Sequence, residues 1–340
     1  MSDLSQGALL PFGWSERVLA LFNALPDSRL DPARVVRVER SNCVAVFADG
    51  TERLLHAAVL PAVGDWVAVR DDVVRDVLPR WSTLARTDPA GGVQVLAANV
   101  DLVVITAPAD RLSPARVERE LAVAWDSGAQ PVVALTKIDL GDDDVAGNLQ
   151  NRLVGVEVIP TSVVTGHGVA ELAERLRPHR TAVLLGPSGA GKSTLANALL
   201  GADVLATGEV RAADQRGRHT TTSRQLVAVP GGGVLIDTPG LRSLGLAGDV
   251  PIEHAFPEID ELARACRFSD CRHEVEPDCA VLAAVEDGAL DADRLASFRK
   301  LKREVAADAR RSDPLLRKAE LSTWKAITKS MRMHDKRRSQ

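Results

Sequence analysis

The fold of this chain is decided by residues 184–194, LLGPSGAGKST. Within them GPSGAGKS fits G-x-x-x-x-G-K-[ST], a pattern that forms a phosphate-binding loop when it follows a strand and opens a helix. Both conditions are met, because TAVLLG before it is apolar and KSTLANALLG after it is amphipathic. A chance match in a glycine-rich turn would not need these flanks. The sequence therefore predicts a nucleoside-triphosphate site made of Gly186, Pro187, Ser188, Gly189, Ala190, Gly191, Lys192, Ser193 and Thr194.

The residue types of the loop suit a phosphate chain. Glycines let successive backbone N–H groups point inward at an anion, and the helix that follows adds its positive N-terminal dipole. Lys192 is expected to reach the β- and γ-phosphates, and Ser193 is expected to hold a magnesium ion.

Outward from the loop, apolar strands alternate with helices over residues 89–248, which predicts an α/β domain with a mostly parallel sheet. NVDLVVITAPA and PVVALTKIDL are near-continuous apolar runs, as buried parallel strands are. Between them SPARVERELAVAWDSG predicts a helix that begins at a Ser-Pro cap and ends near Gly128. RQLVAV and GGVLID predict two further strands joined by PGGG.

A base-reading element follows one of these strands. TKID, made of Thr136, Lys137, Ile138 and Asp139, resembles the [NT]-K-x-D element of GTPases. An Asp carboxylate can accept both the N1 and N2 hydrogens of guanine, and the wrong base would leave buried groups unpaired. TSVVTG, which begins with Thr161 and Ser162, resembles the second guanine-contacting loop. Together the two elements predict guanine, and they argue against an ATP-dependent kinase.

LIDTPG resembles the D-x-x-G element, in which Asp237 would hold magnesium through water and the Gly240 N–H would contact the γ-phosphate. In the preceding RGRHTTTSRQ, Thr221 is the candidate, among Thr220, Thr221 and Thr222, to complete the magnesium shell when GTP is bound. Leu241 occupies the position where many GTPases have a water-orienting Gln. His219 is the nearest catalytic candidate, the alternative being a solvated loop histidine. Slow intrinsic hydrolysis that a partner accelerates is the expected behaviour.

Farther along, CRFSDCRHEVEPDC has the spacing C-x4-C-x-H-x5-C. Three thiolates and one imidazole form a closed tetrahedral zinc set with no position for water, so the ion would be structural. Buried cysteines without a metal would not need the histidine. The predicted ligands are Cys266, Cys271, His273 and Cys279.

Short β-rich runs over residues 33–88 predict a small barrel, for which an OB-like fold is the natural candidate. Trp66 and the lone Cys43 are expected in its core. Residues 1–32 contain turn formers and no sustained period, and we expect a loosely attached extension.

The net charge of −4 hides an asymmetry, because residues 294–340 carry 15 Lys and Arg against 5 Asp and Glu. The basic tail, residues 302–340, is either a nucleic-acid contact or a solvated helical face.

The chain has no apolar run long enough to span a membrane, and its start lacks the features of a signal peptide. A cytoplasmic protein that does not bind membranes is therefore expected.

The motifs run in the order base-reading loops, phosphate loop, switch threonines, D-x-x-G. This is the order of a circularly permuted GTPase, and with a barrel before it and a zinc module after it the chain is similar to the ribosome small-subunit-dependent GTPase A family. The resemblance implies an α/β P-loop GTPase domain, preceded by an OB-like β-barrel and followed by a helical zinc-binding domain, residues 249–301. It also implies GTP and GDP with Mg2+, one structural Zn2+, and GTP hydrolysis during late assembly of the small ribosomal subunit, with rRNA contacts.

Three departures accompany the resemblance: the N-terminal extension, the long basic tail, and Thr136 where Asn is commoner. Two alternative functions stay open, a guanine-nucleotide-gated RNA-binding module with negligible hydrolysis and a permuted GTPase of large-subunit assembly. A monomer is the simplest expectation.

The reversed order places D-x-x-G about 26 residues before the first zinc ligand, so we hypothesise that the switch pulls directly on the zinc module.

Overall fold

The computed structural model describes residues 3–39, 42–87, 93–202, 224–237 and 252–312. Its first part is the predicted barrel, whose strands are β1 (Asp31–Val38), β2 (Asn42–Phe47), β3 (Glu52–His56), β4 (Trp66–Arg70) and β5 (Val73–Val77). They pair in the order β1-β2-β3-β5-β4, and β4 pairs with β1 to close the ring. Alternate residues fill the interior, as strand periodicity requires. Cys43 and Trp66 are both buried, as predicted.

The α/β domain contains the predicted parallel sheet. Its strands are β8 (Leu102–Pro108), β9 (Gln130–Thr136), β10 (Val158–Thr161), β11 (Thr181–Leu185), β12 (Gln225–Ala228) and β13 (Val234–Asp237). The strand order is β10-β9-β8-β11-β13-β12, in which only β12 is antiparallel to its neighbour. The described helices of this domain are α2 (Pro114–Asp126), α3 (Val145–Arg152), α4 (Val169–Arg175) and α5 (Lys192–Leu200).

Barrel and sheet are joined by strand pairing and by buried polar contacts. β1 pairs with β12 at Arg37 and Gln225. Arg34 is fully buried, donates from Nη2 to Thr181 Oγ1 at 3.0 Å and stacks on Trp66 at 4.7 Å. Burial lowers its pKa to about 10. A separate two-stranded ribbon, β6 (Thr83–Thr87) with β7 (Val93–Ala98), crosses the predicted domain boundary near residue 88.

The expectation of a loosely attached N-terminal extension is wrong. Residues Asp3–Phe12 form a 3-10 helix and α1 spans Glu16–Asn23. Leu9 and Val18 are fully buried, and the Trp14 ring packs edge-on against Trp66 at 5.3 Å. The segment has no long period because only a few apolar side chains attach it to the rest of the protein, while most of its other described residues stay at the surface.

The C-terminal part is helical, as predicted, with a 3-10 turn at Ile252–Ala255 followed by α6 (Pro257–Ala263), α7 (Ala280–Glu286) and α8 (Ala292–Ser312). α8 runs without a break through residue 302, where the basic tail was expected to begin as a separate unit. The boundary predicted from charge therefore lies inside a helix, because a change in charge along one helix face does not require a change in backbone.

One buried cation fixes the C-terminal helices to the α/β domain. Arg294 on α8 contacts Glu118 on α2 at 3.0 Å and Glu258 on α6 at 2.6 Å, and donates to the Ala255 carbonyl at 2.8 Å. Glu118 also pairs with Arg152 on α3 at 2.7 Å. Arg294 and Glu118 are almost completely buried, so each charge depends on its partners for the solvation it has lost.

Breaking this cluster should be costly. We expect Arg294→Met to lower the free energy of unfolding by about 3 kcal/mol, because the buried Glu118 and the partly buried Glu258 lose their shared cation. Arg264→Met is the matched control, since Arg264 makes an exposed i,i+4 pair with Asp260 that is worth at most about 0.5 kcal/mol. Urea denaturation followed by circular dichroism measures both, and equal values for the two variants would contradict the prediction.

Candidate functional site

The predicted nucleotide residues meet at one edge of the sheet. Strands β8, β9, β10, β11 and β13 are parallel, so their carboxyl ends lie at the same edge. Register places Thr161 beside Thr136, and Thr136 beside Pro108. The two base-reading loops are therefore neighbours, and the phosphate loop after β11 lies one strand beyond β8.

The phosphate loop begins where β11 meets β8 closely. Gly186 has φ +139°, and a Cβ there would overlap the Thr106 side chain and carbonyl, so only glycine fits. Thr106 Oγ1 donates to the Leu185 carbonyl at 2.7 Å and fixes the end of the strand. The loop passes through Pro187, half-buried, and the exposed Ser188, and ends at Gly191, from which α5 begins.

Lys192 lies across the loop that it belongs to. Its ammonium donates to the Gly186 carbonyl at 2.8 Å and to the Pro187 carbonyl at 2.6 Å. Ser193, the next residue, is half-buried in the first turn of α5, and Thr194 after it is exposed. The Lys192 ammonium and the N-terminus of α5 thus lie at the same loop, an arrangement suited to a phosphate chain.

Thr136 links the base-reading loop to the phosphate loop. The residue is 5% exposed. Its hydroxyl donates to the Ala190 carbonyl at 2.7 Å, and the Ala107 carbonyl lies 3.4 Å away. A hydroxyl therefore supplies the donor at the position where Asn is commoner in GTPases. The sequence placed Thr136 among the nucleotide contacts, and the structure adds that its side chain holds the two loops together.

The rest of TKID projects beyond the strand. Lys137 has φ +56°, which turns the chain away from β9, and its ammonium lies 3.7 Å from Asp110 Oδ2. Ile138 is half-buried, and Asp139 is exposed at the edge where a base would lie. Thr161 and Ser162 are buried instead, and the Ser162 N–H donates to the His167 carbonyl at 3.0 Å to close the second loop.

Asp237 ends β13, on the far side of the phosphate loop from the base-reading elements. Its place beside β11 suits the magnesium role expected from D-x-x-G. The other switch candidates, His219, Thr221 and Gly240, lie outside the described residues, so their roles remain predictions.

Three charged residues at this edge escaped the sequence analysis. Asp110 and Arg111 belong to the 3-10 turn Ala109–Arg111 directly after β8. Arg111 Nη2 donates to the Gly189 carbonyl at 3.4 Å. Glu120 on α2 has its pKa raised to about 7, chiefly by burial, although Arg116 and Lys192 act in the opposite direction. Asp110 and Arg111 directly follow a buried strand and Glu120 lies within a helix, and none of the three belongs to a sequence motif.

The four predicted zinc ligands come together in the C-terminal part. Their ligand atoms all lie within 4.8 Å of one another. The Sγ atoms of Cys266 and Cys279 are 3.8 Å apart, and His273 Nδ1 lies 3.6 Å from the first and 3.4 Å from the second. A tetrahedral zinc with Zn–S bonds of about 2.3 Å has sulfur–sulfur edges of about 3.8 Å. The set, with Cys271 as its fourth member, therefore fits that ion.

Glu276 organises the loop between the last two ligands, a role that the sequence analysis missed. Its carboxylate accepts the backbone N–H groups of Arg272 at 3.0 Å, Glu274 at 2.8 Å and Val275 at 3.0 Å. These hydrogen bonds, that of Arg272 first, lower the pKa of Glu276 to about 2. The loop around His273 is thus shaped by a local carboxylate as well as by the ligands.

Comparison with known proteins agrees with this geometry. Residues 77–247 match the family model described as RsgA GTPase. A Streptomyces coelicolor protein named "Small ribosomal subunit biogenesis GTPase RsgA" is 48% identical, over 89% of this chain and 88% of the relative. A protein of the same name from Opitutus terrae is 44% identical, over 96% and 98% of the two chains.

Solved structures share the fold. YjeQ from Thermotoga maritima has a TM-score of 0.63 and 26% identity, with 82% of this chain and 99% of that chain covered. YloQ, titled a circularly permuted GTPase, has a TM-score of 0.59 and 23% identity, with 82% and 96% covered. The circular permutation predicted from the order of the motifs is confirmed, and so are the domain types predicted from the strand, helix and cysteine patterns. Among the described residues, no helix is both long and apolar enough to cross a membrane.

The hydroxyl of Thr136 gives a direct test of the link between the loops. Thr136→Val keeps the shape and removes the donor, which leaves the buried Ala190 carbonyl unpaired at a cost of about 1–3 kcal/mol. We expect GDP to dissociate about tenfold faster, whereas Thr136→Asn restores a donor and recovers most of the affinity. Thr51→Val, on the exposed β2–β3 turn, is the control. Stopped-flow release of a fluorescent GDP analogue measures the effect, and an unchanged rate in Thr136→Val would exclude this linking role.

Proposed function

The chain belongs to the RsgA GTPase family, and from that membership we propose that it hydrolyses GTP as a factor in biogenesis of the small ribosomal subunit. The finer steps that we propose are binding to a late subunit precursor in the GTP state, acceleration of hydrolysis by the subunit, and release. Subunit assembly takes place in the cytoplasm, which is the location that we propose. We also propose that the protein acts as a monomer.

One observation carries the nucleotide part of the proposal. The base-reading loop and the phosphate loop meet at a single sheet edge and are joined by the 2.7 Å bond from Thr136 Oγ1 to the Ala190 carbonyl. A ligand that fills both loops needs a base at one end and phosphates at the other. We propose that Asp139 reads guanine, with Lys137 and Ile138 along the base and the Thr161–Ser162 loop behind it.

At the phosphate end, Lys192 would exchange its two carbonyl acceptors for phosphate oxygens, which carry full negative charge and bind an ammonium more strongly. The backbone N–H groups of residues 188–193 would surround the β-phosphate. Mg2+, when bound, neutralises charge that develops between the β- and γ-phosphates. We propose Ser193 and Thr221 as its ligands and Asp237 as its partner through water, with Gly240 on the γ-phosphate.

The water that attacks the γ-phosphate needs an orienting group, and Leu241 cannot supply one. We propose His219 for that role, because it precedes the switch threonines directly. A subunit that orders the segment containing His219 would complete the site only when bound, which explains why intrinsic turnover should be slow.

The zinc module and the positive charge near the C-terminus suit contact with rRNA. We propose one structural Zn2+ held by Cys266, Cys271, His273 and Cys279, whose spacing already matches the edges of a tetrahedral zinc site. Exposed cations such as Arg267 and Arg272 lie on the same loop. Contacts of this kind neutralise RNA phosphates and should weaken with salt.

Turnover with separated ribosomal subunits tests the proposed function. We expect GTP hydrolysis to rise at least tenfold with small subunits and not with large subunits, because an ordered site can lower the barrier by more than about 1.4 kcal/mol. Ser193→Ala should abolish the rise through loss of magnesium, and His219→Ala should abolish it while GTP still binds. Phosphate release measures all of these.

The two alternatives have different outcomes in that assay. Tight GTP binding without a rise on either subunit would favour a guanine-nucleotide-gated RNA-binding module. A rise with large subunits alone would favour large-subunit assembly. Either result would overturn the proposal.

Removal of one thiolate tests the metal. We expect Cys271→Ala to lose the bound zinc and to unfold the C-terminal helices at a lower temperature, because a three-ligand site binds far more weakly. GDP binding should persist, since its loops lie on the sheet. Cys43→Ala, which removes a buried thiol in the barrel, should keep the zinc. Metal content by atomic emission and calorimetry measure the two effects, and full zinc content in Cys271→Ala would contradict the assignment.

A further inference from the structure

The turn after β8 lies between the two parts of the nucleotide site. In the sheet, β8 separates β9, which precedes the base-reading loop, from β11, which precedes the phosphate loop. In a guanine nucleotide, the ribose and the α-phosphate separate the base from the β-phosphate. A side chain on the turn Ala109–Arg111 is therefore placed beside the ribose and the α-phosphate of a nucleotide that fills both loops.

Two cations are gathered there by one carboxylate. Asp110 Oδ2 lies 3.7 Å from Lys137 Nζ and 3.5 Å from Arg111 Nε. Lys137 belongs to the base-reading loop, and Arg111 reaches the phosphate loop, where its Nη2 donates to the Gly189 carbonyl at 3.4 Å. Asp110 thus pairs with one cation from the base-reading loop and with another that contacts the phosphate loop.

Arg111 keeps the capacity to bind an anion. A guanidinium has five N–H donors, and the contacts with Asp110 and Gly189 engage Nε and Nη2. Its side chain is 62% exposed. The guanidinium lies close to the phosphate-loop backbone, because a Cβ added to Gly189 would come within 3.3 Å of Nη2.

Of the two middle groups, the α-phosphate is the better partner. It carries a negative charge, whereas the ribose hydroxyls are neutral, and guanidinium groups bind phosphate oxygens more strongly than neutral acceptors. We propose that Arg111 binds the α-phosphate of the guanine nucleotide and that Asp110 positions it; this rests on the proposed function.

This role differs from that of the switches. GTP and GDP both contain the α-phosphate, so Arg111 would contribute equally to the affinity of both nucleotides. It would not distinguish the state before hydrolysis from the state after it. Substitution of Arg111 should therefore weaken GTP and GDP by the same factor.

Truncating the nucleotide tests the contact. Dissociation constants of GDP, GMP and guanosine are measured by displacement of a fluorescent GDP analogue from the full chain with Mg2+ present. For Arg111→Ala we expect about tenfold weaker binding of GDP and of GMP and no change for guanosine, because a charge-assisted hydrogen bond of about 1.4 kcal/mol corresponds to tenfold. Arg111→Lys, which keeps the charge, should recover part of the loss.

The control is Arg175→Ala. Arg175 on α4 has a partly exposed side chain, 37% against 62% for Arg111, and pairs with Glu157, which precedes β10 at the opposite edge of the sheet. It should match the wild-type chain with all three ligands.

Two results would overturn the inference alone, given normal GDP binding by the wild-type chain. Unchanged GDP and GMP affinity in Arg111→Ala would remove the contact, and an equal loss for guanosine would show that Arg111 acts through the shape of the loops. Failure of the wild-type chain to bind GDP would instead overturn the proposed function, and this inference with it.

Discussion

The structure depends on the parallel alignment of five strands, which brings all their carboxyl ends to one edge of the sheet. Loops at that edge meet in space whatever their order in the chain. A chain can therefore begin its α/β domain at β8 instead of β11 and still place a base-reading loop beside a phosphate loop. The circular permutation thus leaves the site chemistry intact, and what it changes is where the neighbouring domains are attached.

The C-terminal helices are held to the α/β domain by more than the chain that follows D-x-x-G. Arg294 pairs with Glu118, which lies 176 residues earlier on α2. The turn before α2 contains Asp110 and Arg111 at the nucleotide edge. One short segment therefore borders the proposed nucleotide site at its beginning and pairs with the C-terminal helices in its middle. Direct pulling by the D-x-x-G switch remains a hypothesis, because residues 238–251 lie outside the described part of the chain.

Much of the fold and the site was predictable because the information was local. The barrel strands, the buried strands of the sheet and the phosphate-loop helix follow from patterns that span ten residues or fewer. The N-terminal segment was not predictable in this way. Leu9, Trp14 and Val18 are buried but show no period, and the ring contact of Trp14 is with Trp66, which lies in the barrel. The boundary predicted at residue 302 lies within a helix, because the charge of the sequence changes there while the helix Ala292–Ser312 continues.

The sequence by itself determined which chemical groups are available: a phosphate loop with Lys192, the Asp139 carboxylate that we propose reads guanine, and four ligands spaced for one zinc ion. Each is set by residue type and short spacing, which fold locally in one way. Only the tertiary structure decided which groups meet. Strand order and helix packing decide four contacts. They are the hydrogen bonds of Thr136 to Ala190 and of Arg111 to Gly189, and the ion pairs of Asp110 with Lys137 and of Arg294 with Glu118. No local pattern encodes these contacts, because each joins segments that the fold alone brings together.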